Sequence, residues 1–166
     1  MKYKELFVLR HAKSSWDDPN IDDIDRALTT RGIADAYSMA NRLKKQLLGI
    51  DLILTSYANR AEHTATIFAS TINYPVESIK ITSNIYETSE VKLTTLIKEL
   101  PNELSRVLIV GHNPTFTYFA NRFLQSPIDN IPTTGIVGIT FRIDTWNEIS
   151  IDKVHSSFFE FPKKEH

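Results

Sequence analysis

The apolar positions of this chain follow two different spacings. Leu6 to Leu9, Leu52 to Leu54 and Val107 to Val110 are continuous apolar runs, too short for helices, and each is followed by a helical pattern. Strands buried on both faces of a parallel sheet read in this way. The first helix is predicted to open near Thr29 or Thr30, to carry Ile33, Tyr37, Ala40, Leu43 and Leu47 at helical spacing, and to stop at Gly49. Residues 58 to 70 form a second helix, and residues 90 to 99 a third with Val91, Leu93, Leu96, Ile97 and Leu100 as its apolar positions. A fourth starts where Asn113 can cap and Pro114 suits the first turn, with Phe116, Phe119, Ala120, Phe123 and Leu124 as its buried stripe. Gly135 to Arg142 and Glu148 to Val154 flank Asp144-Thr145-Trp146-Asn147, which predicts an antiparallel hairpin on the sheet edge.

Composition narrows the class of molecule. At 166 residues, with no repeat or linker, the chain reads as one domain over residues 1–166, and the polar stretch 13 to 26 reads as a loop within it. Nine Phe, six Tyr and two Trp within a 42% hydrophobic composition supply a core. Dispersed cations, 19 against 20 acidic residues, leave no basic stripe for nucleic acid, so any anion site must be local. The absence of cysteine removes disulfides, thiolate nucleophiles and Cys-based zinc sites, and fits a reducing compartment. The only apolar stretch near the start, Leu6-Phe7-Val8-Leu9, is too brief for a signal segment or a membrane span, so a cytoplasmic protein without membrane contact is expected.

The chemistry lies at the ends of the apolar runs. The first is followed by Arg10-His11, the second by Thr55-Ser56 and then Arg60, and the third by Gly111-His112-Asn113. Ligands of open α/β sheets bind beyond the carboxyl ends of the strands, where helix N-termini also point, so two His and two Arg are expected to converge there. Arg can bind two phosphate oxygens at once and stays cationic, while neutral imidazole is a competent nucleophile near neutral pH. Arg10 and Arg60 are expected to keep His11 neutral. His112 is expected to act as a protonated donor to a phosphoryl oxygen, stabilised by the charge of the substrate itself.

The pieces LRHAKS, RALTTRG, LTSYANRAEHT, IYETS and VGHNP, in this order over residues 6 to 114, resemble the histidine phosphatase superfamily, and most of all its small SixA-type phosphohistidine phosphatase branch. PTTG at Pro132 to Gly135, before the predicted hairpin, is similar to the family's C-terminal region. The resemblance implies a three-layer α/β/α, phosphoglycerate mutase-like fold with a mostly parallel sheet. It implies His11 as nucleophile, Arg10 and Arg60 as phosphate ligands, His112 as second pocket histidine, and Arg26 reaching in from the loop. Asn113 is placed with Arg26 among the substrate-binding residues. Where the superfamily usually has Gly after the Arg-His pair, this chain has Ala12. Two-step hydrolysis through a phosphohistidine enzyme intermediate follows, with protein phosphohistidine as the preferred substrate class and no cofactor or metal. The rivals are a phosphatase of a small metabolite, a mutase, and a silent phosphate-binding module.

Simpler readings stand beside these. Arg60 could be a solvated helix residue, and Arg26 could form surface ion pairs with Asp22, Asp23 and Asp25. The resemblance implies that Glu87 takes part in the pocket, since in the superfamily's ester-cleaving members an acid near this position protonates the leaving oxygen; a phosphohistidine substrate leaves as imidazole and needs less help, so Glu87 is a proton donor, a hydrogen-bonded pocket residue or, on the simpler reading, a loop acid. His63 is expected to point away from the pocket, and His155 and His166 have no evident partner. The acidic loop lacks the Gly and terminal Glu of a calcium loop. Phe158, Phe159 and Phe161 either cover a core edge or, if exposed together, mark an interface, and the sequence leaves both readings open.

Overall fold

The three apolar runs form the middle of a single six-stranded sheet. The computed structural model describes residues 2–163. Its strands are β1 (Lys4–Arg10), β2 (Leu52–Ser56), β3 (Lys80–Thr82), β4 (Arg106–Gly111), β5 (Ile136–Phe141) and β6 (Val154–Glu160), in the order β3-β2-β4-β1-β5-β6. The first four are mutually parallel, while β5 runs antiparallel to β1, and β6 antiparallel to β5. Helices α1 (Thr30–Gln46), α2 (Asn59–Ile72), α3 (Glu90–Lys98) and α4 (Thr115–Asn121) cover both faces.

The continuous apolar runs follow from that double covering. Along β1, Leu6 and Val8 pack with Leu93 and Ile97 of α3 and Phe116 and Phe119 of α4, while Phe7 and Leu9 pack with Ala36 and Met39 of α1 and Ala65 and Phe68 of α2. Each large side chain buried in this way contributes about 1.5 to 3 kcal/mol, so a polar residue at either parity would be costly. The layers are thus α/β/α, as expected.

Local details differ from the sequence reading where tertiary packing chose another face. On α1 the buried positions are Gly32, Ala36, Met39, Ala40 and Leu43, and Tyr37 is half exposed, because the small residues let this helix lie close to the layer beneath. Val91 of α3 is exposed because Leu93 and Ile97 define the inner stripe and leave it on the opposite side. The edge strand β3, only three residues long with exposed side chains, carries no apolar run that would have announced it.

The C-terminal hairpin is present, but its second strand is β6 rather than residues 148 to 154. The fully buried Trp146 sets this register. Its indole N–H donates to Leu104 O (2.8 Å) and its amide to Asn102 Oδ1 (3.0 Å), drawing the segment toward the turn before β4. The Glu148 carboxylate accepts from the amides of Asp144 (3.0 Å) and Thr145 (2.8 Å), closing a helical turn over Trp146–Glu148. Pairing resumes only at Val154. Phe158 then fills the space beside Gly138, and Phe159 packs against the core, while Phe161 is half exposed.

Two glycines set how closely helices approach the strand ends. A Cβ on Gly111, the last residue of β4, would stand 2.4 Å from the Phe116 ring and 2.7 Å from Ile85. A Cβ on Gly32 would stand 2.2 Å from the carbonyl oxygen of Lys13, so the first turn of α1 can lie against the segment after β1 only without a side chain. Alanine in an open helix site would gain about 1 kcal/mol over glycine. Here the backbone clash outweighs that gain, and Gly32→Ala is expected to lower stability by at least about 1 kcal/mol in urea unfolding.

Candidate active site

The parallel pairing of β1 with β4 brings the two histidines together. Arg10 stands opposite Gly111, and the chain continues the ladder by one bond, from the amide of His11 to Gly111 O (3.0 Å). The His11 and His112 ring centroids are therefore 5.2 Å apart. The backbone around His11 is held from two further sides. The Ala12 amide donates to Thr64 Oγ1 on α2 (2.9 Å), and the Thr134 amide donates to the carbonyls of both Arg10 and His11 (3.1 Å each). Thr134 holds this position at φ 61°, a costly conformation for a β-branched residue. Ala12 is fully buried without positive φ, so alanine suits the place where the superfamily usually has glycine.

His11 is buried, and its Nδ1–H donates to Ala12 O (2.7 Å), because a carbonyl can only accept. Nε2 therefore carries the lone pair. Burial is the main reason that the His11 pKa falls from 6.5 to about 3; His112, Arg60 and Arg10 push the same way, against the Ala12 hydrogen bond. Neutrality was expected from the two arginines, yet desolvation is the larger cause. His112 Nε2 pairs with Ser56 Oγ (2.8 Å). Ser56 Oγ already accepts from the Ala58 amide (3.2 Å) and can give its own proton to His112, which leaves a buried Nδ1–H without a partner in the protein. Burial first, then Arg60, lowers the His112 pKa to about 4, so the protonated form expected from the sequence requires the charge of a bound anion.

The cations are oriented by the protein and incompletely satisfied by it. Arg10 donates through Nη1 to Ile131 O (2.9 Å), while its buried Nε has no partner. Arg60 donates through Nη1 to the carbonyl and through Nη2 to the carboxylate of Asp23 (2.6 and 3.0 Å), again leaving a buried Nε unpaired. Arg26 donates through Nε to Asp23 Oδ1 (3.1 Å) and leaves Nη1 unpaired. Asp23 also accepts from the Tyr86 hydroxyl (2.6 Å), and the Tyr86 ring stands edge-on to His112 with centroids 5.5 Å apart. Partial burial pushes the Asp23 carboxyl upward, but Tyr86, Arg60 and Arg26 outweigh it and hold the pKa at about 2.

Arg10, His11, Lys13, Trp16, Arg26 and Asn113 line a cavity of about 420 Å³ at these strand ends. Arg60 and His112 stand beside it, near enough to act on the charge of His11. Two expected site residues behave differently. The Asn113 amide is committed to structure: Nδ2 donates to Asn130 Oδ1 and Ile131 O (2.8 Å each), and Oδ1 accepts from Thr117 N (3.2 Å) and Oγ1 (2.8 Å). With both donors and both lone pairs used, Asn113 ties α4 to the loop before β5 and is not free to bind substrate. Glu87, with φ 51°, lines a separate cavity of about 380 Å³ with Tyr86, Thr88, Lys92 and Glu99. Amides at the start of the seven-residue α4 are already engaged, since Phe116 N donates to His112 O, Thr117 N to Asn113 Oδ1 and Tyr118 N to Pro114 O.

Chemistry of this kind has known counterparts. A family model described as the histidine phosphatase superfamily (branch 1) matches residues 6–89. The Escherichia coli phosphohistidine phosphatase SixA is 31% identical over 135 residues, covering 80% of this chain and 82% of that one. The chain belongs to the histidine phosphatase superfamily. Two solved structures share the fold: a candidate phosphohistidine phosphatase SixA from Nakamurella multipartitia, with a TM-score of 0.82 at 18% identity over 98% of each chain, and the protein histidine phosphatase SixA complexed with tungstate, with a TM-score of 0.74 at 24% identity over 95% of this chain and 94% of that one. Within the superfamily the chain falls on the SixA-type branch and is a phosphatase hydrolase.

Sequence reading placed the histidine phosphatase Arg and His residues together and left out what orients them. The sequence offers Asp23 only as one of three acids that could pair with Arg26, which it does, and not as a partner of Arg60 or Tyr86. It offers Ser56 only as part of a strand end, and Thr64, Tyr86 and Thr134 carry no signal apart from their places inside the family blocks. His155 packs edge-on against Tyr3, and His166 lies outside the described residues. Among the described residues no group of three or more His, Asp or Glu is disposed to hold a metal, and no helix is long and apolar enough to cross a membrane.

Two measurements follow. Removing a carboxylate from an anion site ordinarily strengthens anion binding, but Asp23 holds both Arg60 and Arg26. Asp23→Ala is therefore expected to weaken inorganic phosphate binding about tenfold by calorimetry. The second concerns acid. Because both histidine pKa values are depressed in the fold, the unfolded chain binds more protons below about pH 6.5, so stability is lost as pH falls. Urea unfolding between about pH 6 and pH 5 should show a slope of up to about 2.7 kcal/mol per pH unit, largely abolished in the double variant His11→Asn, His112→Asn. Asp23 adds its own loss only at lower pH, between its ordinary 3.8 and about 2.

Proposed function

We propose that this chain hydrolyses the P–N bond of protein phosphohistidine through transient phosphorylation of His11. The observation that carries the reading is the state of His11: buried, neutral, its Nδ1–H committed to Ala12 O, its Nε2 lone pair available, with Arg10 and Arg60 near enough to act on its charge. In the first step Nε2 of His11 forms a bond to phosphorus as the bond to the leaving nitrogen breaks. A leaving imidazole protonated on its distal nitrogen departs neutral. Arg10, Arg26 and Arg60, with the Nδ1–H of His112, stabilise the equatorial oxygens. Water then attacks the phosphoenzyme, inorganic phosphate leaves, and His11 returns to its starting form.

A P–N substrate is favoured over a phosphate ester by the lining of the cavity. Alkoxide leaving groups need a proton in the transition state, worth about 10² to 10⁴ in rate. Among the described residues no carboxylate lines the cavity that holds His11; the Asp23 carboxylate is engaged by Arg26, Arg60 and Tyr86, and Glu87 lines a neighbouring cavity bordered by Tyr86. The E. coli relative carries the name phosphohistidine phosphatase, and the tungstate complex of a SixA protein shows that a related fold takes a tetrahedral oxyanion. We further propose that the three arginines supply the charge stabilisation without a metal or cofactor, and that the chain works as one domain in the cytoplasm, where a cysteine-free protein is at no disadvantage.

Rapid quench with ³²P-phosphoramidate tests the covalent step. An acid-labile, alkali-stable label is expected on the native protein and none on His11→Ala, whose turnover falls by at least about 10³-fold. Turnover by the native protein with no label at any time point would exclude the phosphoenzyme.

A further inference from the structure

We propose that Trp16 determines specificity, offering its indole as a stacking platform for a planar leaving group; this rests on the phosphatase reading above. Two tryptophans occur in the chain, and the fold treats them oppositely. Trp146 is fully buried, whereas Trp16 is 75% exposed although it lines the same cavity as His11. Exposed aromatic surface of that size at the rim of a reaction pocket has no role in the core, and it is the kind of surface that contacts a ligand.

The indole is oriented. The Arg26 guanidinium carbon lies 3.4 Å from its ring centroid, within the distance at which a cation is held by an aromatic face. Arg26 is in turn fixed by Asp23 and buried, so the platform sits directly on one of the phosphate-ligating cations. The loop that carries Trp16 is anchored at its root. Ser14 bridges to Leu28, the Ser15 amide donates to Ala27 O (2.8 Å), and the Thr29 amide donates to Lys13 O (2.9 Å). Gly32 permits that anchoring, because α1 lies against Lys13. Little ordering is then required when a ligand arrives, which favours affinity.

A phosphoryl group held by Arg26 and attacked by His11 puts its leaving group near the cavity mouth that Trp16 borders. A flat aromatic ring such as imidazole gains by stacking its face there, whereas ammonia or a small alcohol, which has no such face, does not. Trp16 thereby separates substrates that share the same P–N bond and differ only in what departs.

The test compares N-phosphoimidazole with phosphoramidate on the native protein, Trp16→Ala and Trp16→Phe. For Trp16→Ala, kcat/KM is expected to fall about tenfold on N-phosphoimidazole and to stay within about twofold on phosphoramidate, with Trp16→Phe recovering most of the loss. Equal losses on both substrates would mean that Trp16 acts only by supporting Arg26, and would overturn the proposal, as would no loss on either. Absence of turnover of both substrates by the native protein would instead overturn the phosphatase reading, and this inference with it.

Discussion

The hydrogen bond from the His11 amide to Gly111 O is the contact on which the rest of the site depends. It extends a parallel ladder one residue past the end of β1, and so sets two imidazoles side by side across neighbouring strands. That ladder can form only because β4 lies between β1 and β2 in the sheet, which brings Ser56, at the end of β2, beneath His112. Gly111 allows α4 to close over the strand end, and Thr134 accepts backbone strain to brace the Arg10–His11 carbonyls from the other side. Rigidity at the nucleophile is thus backbone rigidity, supplied by elements that are distant in sequence.

Electrostatics then decides the protonation of what the backbone has placed. Three arginines within reach of one another would repel and shift, and the single carboxylate of Asp23 holds two of them. It stays ionised because Tyr86 and Arg60 stabilise its charge. The same cationic environment, together with burial, strips the proton from both histidines. Unpaired buried donors on Arg10, Arg26 and Arg60 leave the site strongly biased toward an anion, since each donor left without a partner carries a desolvation cost that an oxyanion can relieve. Fold stability and affinity for phosphate are therefore opposed in this pocket.

Local pattern revealed a good deal. The short apolar runs and the residues following them located the strands and the chemistry, because burial on both faces leaves an unambiguous run and because ligands collect at strand ends. Where the reading failed, the competing force came from elsewhere in the chain. Trp146 displaced the last strand by seeking the carbonyl of Leu104, and small residues rather than Tyr37 turned the inner face of α1 to the core. Asn113 stood at the expected strand end, yet its amide was taken up by Thr117, Asn130 and Ile131.

By itself the sequence determined the alternation of strands and helices and the identity of the Arg and His residues that meet, since both are written in residue type and short-range spacing. The tertiary structure alone decided which groups hold them, as with Asp23 and Arg60, which are 37 positions apart, and it alone decided which protons they keep. Pairing partners and pKa values depend on burial and on distances between segments, and neither quantity exists until the layers have packed.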